Sequence, residues 1–169
     1  MIIDDVTATL RLVLSLILAG VIGYERSYFH KAAGLRTHIL VALGSCLIMI
    51  LSMNLYGGVE GKTNADPARL AAQVVSGIGF LGAGTIMKEG LNVRGLNTAA
   101  TLWGSAAVGA AAGSDLVGQA ILITLFVLAS NILLRPVVDR INRTPLDNQA
   151  SEVTYTMCVI STGERQKEV

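Results

Sequence analysis

Long stretches of this chain carry no charged residue, among them 12–24, 95–114 and 116–134. A bilayer core about 30 Å thick is crossed by about 20 residues of predominantly apolar helix. Windows of that kind fit the chain five times, at 5–24, 37–55, 67–87, 95–113 and 116–138. Charged residues make up 15% of the chain, against about 25% in soluble domains, so most of its surface does not meet water. The pattern predicts an all-α membrane protein. A bundle of about five transmembrane helices fills residues 1–143, and a short tail follows over 144–169.

The loop charges orient the bundle, because Lys and Arg collect on the cytoplasmic side of short loops. Arg26, Lys31 and Arg36 follow the first window, Lys88 and Arg94 the third, and Arg135, Arg140, Arg143, Arg165 and Lys167 the fifth. The second loop holds only Lys62 and Arg69, and the fourth holds none. The N-terminus is therefore expected outside and the C-terminus in the cytoplasm. Asp4 and Asp5 precede the first window, whereas a signal peptide opens with positive charge; an uncleaved first helix is expected. Asp66-Pro67 reads as an N-cap followed by proline at the first helical position. Ser114 or Asp115 is expected to cap the fifth helix, and Pro136 to bend or end it.

Helices in lipid associate through small residues that let backbones approach. Ala19-x-x-x-Gly23 and Gly109-x-x-x-Gly113 supply such faces, and Gly77, Gly79, Gly82 and Gly84 crowd the third window. That last segment also matches G-x-G-x-x-G, but it lies inside an apolar span with no strand before it, so nucleotide binding is not expected. Two readings stand for it: a flat packing face, or a broken helix whose backbone lines a cavity.

Ionisable groups at membrane depth suggest function. Arg11 is read as snorkelling to the outer interface near Asp4 and Asp5. Gln73, Ser76, Gln119, Thr124 and Asn131 read as interhelical hydrogen-bonding groups. The candidate functional cluster is Glu25, Arg26, Arg36, His38, Asp66, Arg69, Gln73, Arg94 and Asn97, with Glu25 expected to pair with Arg36 or Arg94 at the cytoplasmic ends. A clamp on helix register and a binding site for an ion or partner both fit that cluster. The chain has two histidines and no nucleophile–base arrangement, so neither an enzyme nor a cofactor is expected. No group of carboxylates reads as a Mg²⁺ cage. Cys46 and Cys158 are expected as free thiols. Residues 153–160 are strand-like, rich in β-branched and aromatic side chains, and one strand does not fold alone.

Four segments together form a signature: Gly20-Val-Ile-Gly-Tyr-Glu-Arg26, Ala33-Gly-Leu-Arg-Thr-His38, the run from Asp66 to Gly84, and Val93-Arg-Gly-Leu-Asn-Thr-Ala-Ala-Thr-Leu-Trp103. They closely resemble the MgtC/SapB family of bacterial membrane proteins over roughly residues 5–138. The resemblance implies an inner-membrane protein of about five spans, linked to growth in low magnesium and, in pathogens, to survival inside macrophages. It implies a cytoplasmic ACT-like domain, of which the strand near 153–160 looks like the start. It also implies a regulator of other membrane proteins, such as ATP synthase. Two functions follow as expectations. One is a non-enzymatic regulator acting by helix contact; the other is a small cation transporter or channel, with Mg²⁺ as a candidate cargo. Both favour a homo-oligomer.

Overall fold

The structure, a computed structural model, describes residues 3–57, 66, 68–89 and 92–142. The expected tail strand, Cys158 and the 144–169 segment lie outside them. The described residues form six α-helices and one hairpin: α1 (Asp5–Tyr28), α2 (Leu35–Gly57), α3 (Ala68–Thr85), β1 (Met87–Glu89), β2 (Asn92–Arg94), α4 (Leu96–Gly113), α5 (Val117–Leu133) and α6 (Arg135–Asn142). Asp5–Tyr28, Leu35–Tyr56 and Val117–Val138 are each long and apolar enough to cross a membrane. The α3 and α4 helices have 18 residues each, about 27 Å at 1.5 Å per residue.

The α4 helix is the centre of the bundle. It packs against α1, α2, α3 and α5. Its sequence, rich in Ala, Gly, Ser and Thr, is what a helix surrounded by helices requires. A Cβ at Gly109 would strike the backbone of Ala42, and one at Gly113 would lie 2.5 Å from the Cys46 carbonyl oxygen. Only glycine lets α4 come this close to α2. Around the contact, Cys46, Ile50, Ala111, Ala112 and Ala120 form a buried apolar cluster. Cys46 is a free thiol.

The turns explain where the helices stop. After α1, His30 takes φ 51°, and Lys31 N–H donates to the Arg26 carbonyl at 3.0 Å. After α4, Asp115 takes φ 67°, Asp115 N–H donates to Ala112 O, and Leu116 N–H donates to Ala111 O at 2.9 Å. Both are left-handed helix closures of the Schellman type with a residue other than glycine in the left-handed position. Ser114 and Asp115 therefore close α4; the residue before α5 is Leu116, and no side chain caps that helix. Asp66 does cap α3: its Oδ1 accepts the Ala68 N–H at 2.9 Å.

Two sequence expectations are corrected, and the break expected at Pro136 is found. The α3 helix is continuous through residues 77–84, so the broken-helix reading is set aside. The β1–β2 hairpin, in register Met87↔Arg94, Lys88↔Val93 and Glu89↔Asn92, occupies what had read as a loop. The 116–138 window divides: α5 ends at Leu133, a bend falls on Leu134, and α6 begins at Arg135. Pro136 has no N–H to continue the α5 ladder, which accounts for the break. Residues up to Arg135 form one compact unit and Pro136 opens the other. Within the latter, α6 is a short helix with Val137, Val138 and Ile141 exposed.

Candidate functional site

Charged and polar side chains gather where α1 ends and α2 and α4 begin. Arg26, on the last turns of α1, is 1% exposed, and His38, one turn into α2, is fully buried. Both reach across to α4. Arg26 Nη2 donates to Thr98 Oγ1 at 3.0 Å. His38 Nδ1 and Ser105 Oγ are hydrogen-bonded at 2.7 Å. Gly23 brings α1 and α2 together beside them: a Cβ there would sit 2.7 Å from Leu35 Cα and 3.2 Å from His38 Cβ. Among the described residues, Arg26 Nε and His38 Nε2 are buried without a hydrogen-bond partner. A cation held this deeply in a low-dielectric interior is costly unless its partners are fixed. The cluster therefore joins α1 and α2 to α4 through two buried side-chain hydrogen bonds.

Glu25 takes neither expected arginine as the partner seen here. Its Oε2 accepts from Asn131 Nδ2, on α5, at 3.3 Å. Arg36 is exposed on the first turn of α2 and Arg94 is exposed in β2, while Asn97 is exposed on the first turn of α4. Close by, the Arg135 guanidinium stands 4.2 Å from the centroid of the Phe29 ring, a cation–π contact.

Asp66, Arg69 and Gln73 do not join this group. They line a separate cavity of about 300 Å³ with Ser52, Leu55 and Tyr56, at the far end of α2. Arg11 also departs from its expected role. Instead of snorkelling beside Asp4 and Asp5, it donates from Nη1 to the Gly113 carbonyl at 2.9 Å and pairs through Nη2 with Asp115 at 3.1 Å. It thus ties α1 to the α4–α5 turn. Thr124 bonds back to Ala120 O within its own helix. Among the described residues, no three His, Cys, Asp or Glu side chains converge as metal ligands.

Of the α3 glycines, Gly82 meets Ala99, where an added Cβ would lie 3.5 Å from the Ala99 Cβ, while Gly77, Gly79 and Gly84 have open space at the Cβ position. Sequence reasoning misses Thr98 and Ser105 as the partners of Arg26 and His38. Their signal is the spacing Thr98, Thr101, Ser105, which places three hydroxyls on one helical face; all three are buried.

Fold and site together define a helical membrane protein with a buried arginine–histidine cluster at one end of its bundle. Residues 12–140 match the MgtC family. The chain is 47% identical over 153 residues to Protein MgtC of Brucella abortus, covering 90% of this chain and 62% of that protein. It is 45% identical over 161 residues to Protein MgtC of Salmonella choleraesuis, covering 95% of this chain and 66% of that protein. An uncharacterized protein of Synechocystis is 44% identical over 160 residues. The chain belongs to the MgtC family. It spans 62% to 66% of the length of these relatives. No solved structure matches it.

Proposed function

We propose that this chain is a five-span inner-membrane protein, with its N-terminus outside and its C-terminus in the cytoplasm. In this reading it serves magnesium homeostasis and adaptation to low Mg²⁺ as a non-enzymatic regulator of other membrane proteins. The observation that carries the reading is the bare side of α3. Each glycine in a helix interior costs about 1 kcal/mol relative to alanine. Among the described residues, only Gly82 of the four in this segment meets a neighbour at its Cβ position. Phe80, between the open glycines, is 82% exposed. Small residues flanking a large one suit a helix that arrives from another protein or another copy of this chain, since close backbone contact is what joins helices in lipid. The continuity of α3, with Ile78 and Gly82 packed into the bundle, supports a contact surface over an ion path along residues 73–85.

The test is paired. Full-length protein in proteoliposomes is assayed for Mg²⁺ entry with a Mg²⁺-sensitive dye. In parallel, membranes are solubilised gently and partners recovered with wild type, Gly77→Leu and, as a control on another open glycine, Gly118→Leu. The regulator reading expects no flux above empty liposomes and a partner lost only in Gly77→Leu. Flux that falls in Glu25→Ala would replace it with the alternative, a small oligomeric cation transporter.

A further inference from the structure

A groove of about 310 Å³ runs between α4 and α5, and its lining changes character along its length. At the end where α4 begins and α5 finishes it presents Asn97, Ser130 and Asn131; deeper, its wall on α5 is Phe126, Val127 and Ile123. Eight residues separate Asn131 from Ile123, about 12 Å along the helix. The polar part thus lies at the helix ends and the apolar part points toward mid-membrane, the order of head and chain in a phospholipid. We infer that this groove binds a phospholipid whose head group carries a primary ammonium, as in phosphatidylethanolamine.

The polar end is built to accept hydrogen bonds. Glu25, only 9% exposed, lies behind Asn131 and accepts its amide N–H. This fixes the nitrogen toward the carboxylate and leaves Asn131 Oδ1 as an acceptor. Thr101 Oγ1 is already committed to the Asn97 carbonyl at 2.7 Å. The Asn97 and Ser130 side chains make no hydrogen bond to other described residues. The exposed Asn97 amide and the half-buried Asn131 amide, beside a nearly buried carboxylate, match an ammonium that can donate three hydrogen bonds. A quaternary choline has no N–H to donate, and a glycerol head group brings no positive charge. Arg135 follows Asn131 by about one turn, but its guanidinium is held over Phe29 and is not part of the groove lining. The inference goes beyond the regulator reading and does not depend on it, because the groove lies between α4 and α5 rather than on the bare side of α3.

The test is native mass spectrometry of the full chain in mild detergent, with phosphatidylethanolamine, phosphatidylcholine and phosphatidylglycerol added separately. Wild type should retain phosphatidylethanolamine about tenfold better than phosphatidylcholine, the ratio that one charge-assisted hydrogen bond provides. Glu25→Gln keeps the shape and removes the charge, and should bring that ratio close to one. Ala100→Phe fills the deeper groove, leaves Glu25 in place, and should lose the lipid adduct with unchanged helicity. Equal retention of all three lipids by wild type would overturn the proposal, as would an Ala100→Phe protein that keeps the preference. Efficient Ser130→Cys cross-links between copies in native membranes would overturn it too, by assigning the groove to a second copy.

Discussion

Arg26 and Thr98, 72 residues apart in the chain, are joined by a 3.0 Å hydrogen bond inside the bundle. The guanidinium is almost wholly buried and the hydroxyl oxygen is the acceptor seen for it among the described residues. A buried charged donor stripped of its acceptor is left with its desolvation penalty, about 1–3 kcal/mol. Thr98→Val, which keeps the shape of the side chain, should therefore lower stability by about 2 kcal/mol in thermal unfolding of the detergent-solubilised protein. Thr98→Ser keeps the hydroxyl and should lose less than half as much. Equal losses in the two variants would mean that packing, not the bond to Arg26, sets the role of Thr98.

Glycines that look alike in sequence should behave differently. Gly109 faces the backbone of Ala42 at a distance no methyl group fits. Gly109→Ala must separate α4 from α2, and overpacking of this kind costs about 1–3 kcal/mol. Gly77 has open space at its Cβ position, so Gly77→Ala should leave the isolated protein unchanged or raise its melting temperature slightly through helix propensity. A comparison of the two melting temperatures in one detergent is sufficient. A large loss in Gly77→Ala would show that its surroundings are occupied even in the isolated protein.

The helices were legible because lipid enforces a simple code. A run of apolar residues without charge has to be helical, and the windows at 5–24, 37–55, 67–87 and 95–113 agree with α1 to α4 to within a few residues, save at the starts and ends that the turns extend or trim. Pro136 likewise announced the break after α5. The closures at His30 and Asp115 were not legible, since neither position carries the glycine that normally marks a left-handed turn. The hairpin escaped because its strands have three residues each, too few for any alternation to register. The site was half visible. Glu25, Arg26 and His38 stood out as ionisable groups at span ends, and Asn131 as an interhelical hydrogen-bonding group, but Thr98 and Ser105 did not, because hydroxyls are ordinary in a membrane helix. Sequence spacing alone could not choose Asn131 over Arg36 or Arg94 as the neighbour of Glu25; that choice follows from α5 packing against α1.

Gly95 offers a test of the hairpin's junction with α4. It precedes the helix at φ 92°, and a Cβ there would run into the Thr85 carbonyl. Left-handed backbone costs a residue with a side chain about 1–2 kcal/mol, and the clash adds to it. Gly95→Ala should destabilise the protein by at least 2 kcal/mol, again with left-handed strain as its base. Limited proteolysis should then cut near residues 87–95 sooner than in wild type. Unchanged protease resistance would mean that the hairpin does not rest on this glycine.

The clamp between Arg11 and Asp115 separates backbone strain from charge. Asp115 is 68% exposed along its side chain, and partly exposed ion pairs contribute about 0–1 kcal/mol. Its left-handed φ of 67° is the larger liability. Asp115→Ala loses the pair and keeps the strain, so it should melt below wild type. Asp115→Gly loses the same pair but relieves a strain of about 1 kcal/mol, and should melt at or above wild type. Arg11 keeps the Gly113 carbonyl as an acceptor in both variants, so neither change strands the guanidinium. Asp115→Gly melting as low as Asp115→Ala would reverse this assignment and make the ion pair, rather than the turn, the element that ties α1 to the α4–α5 connection.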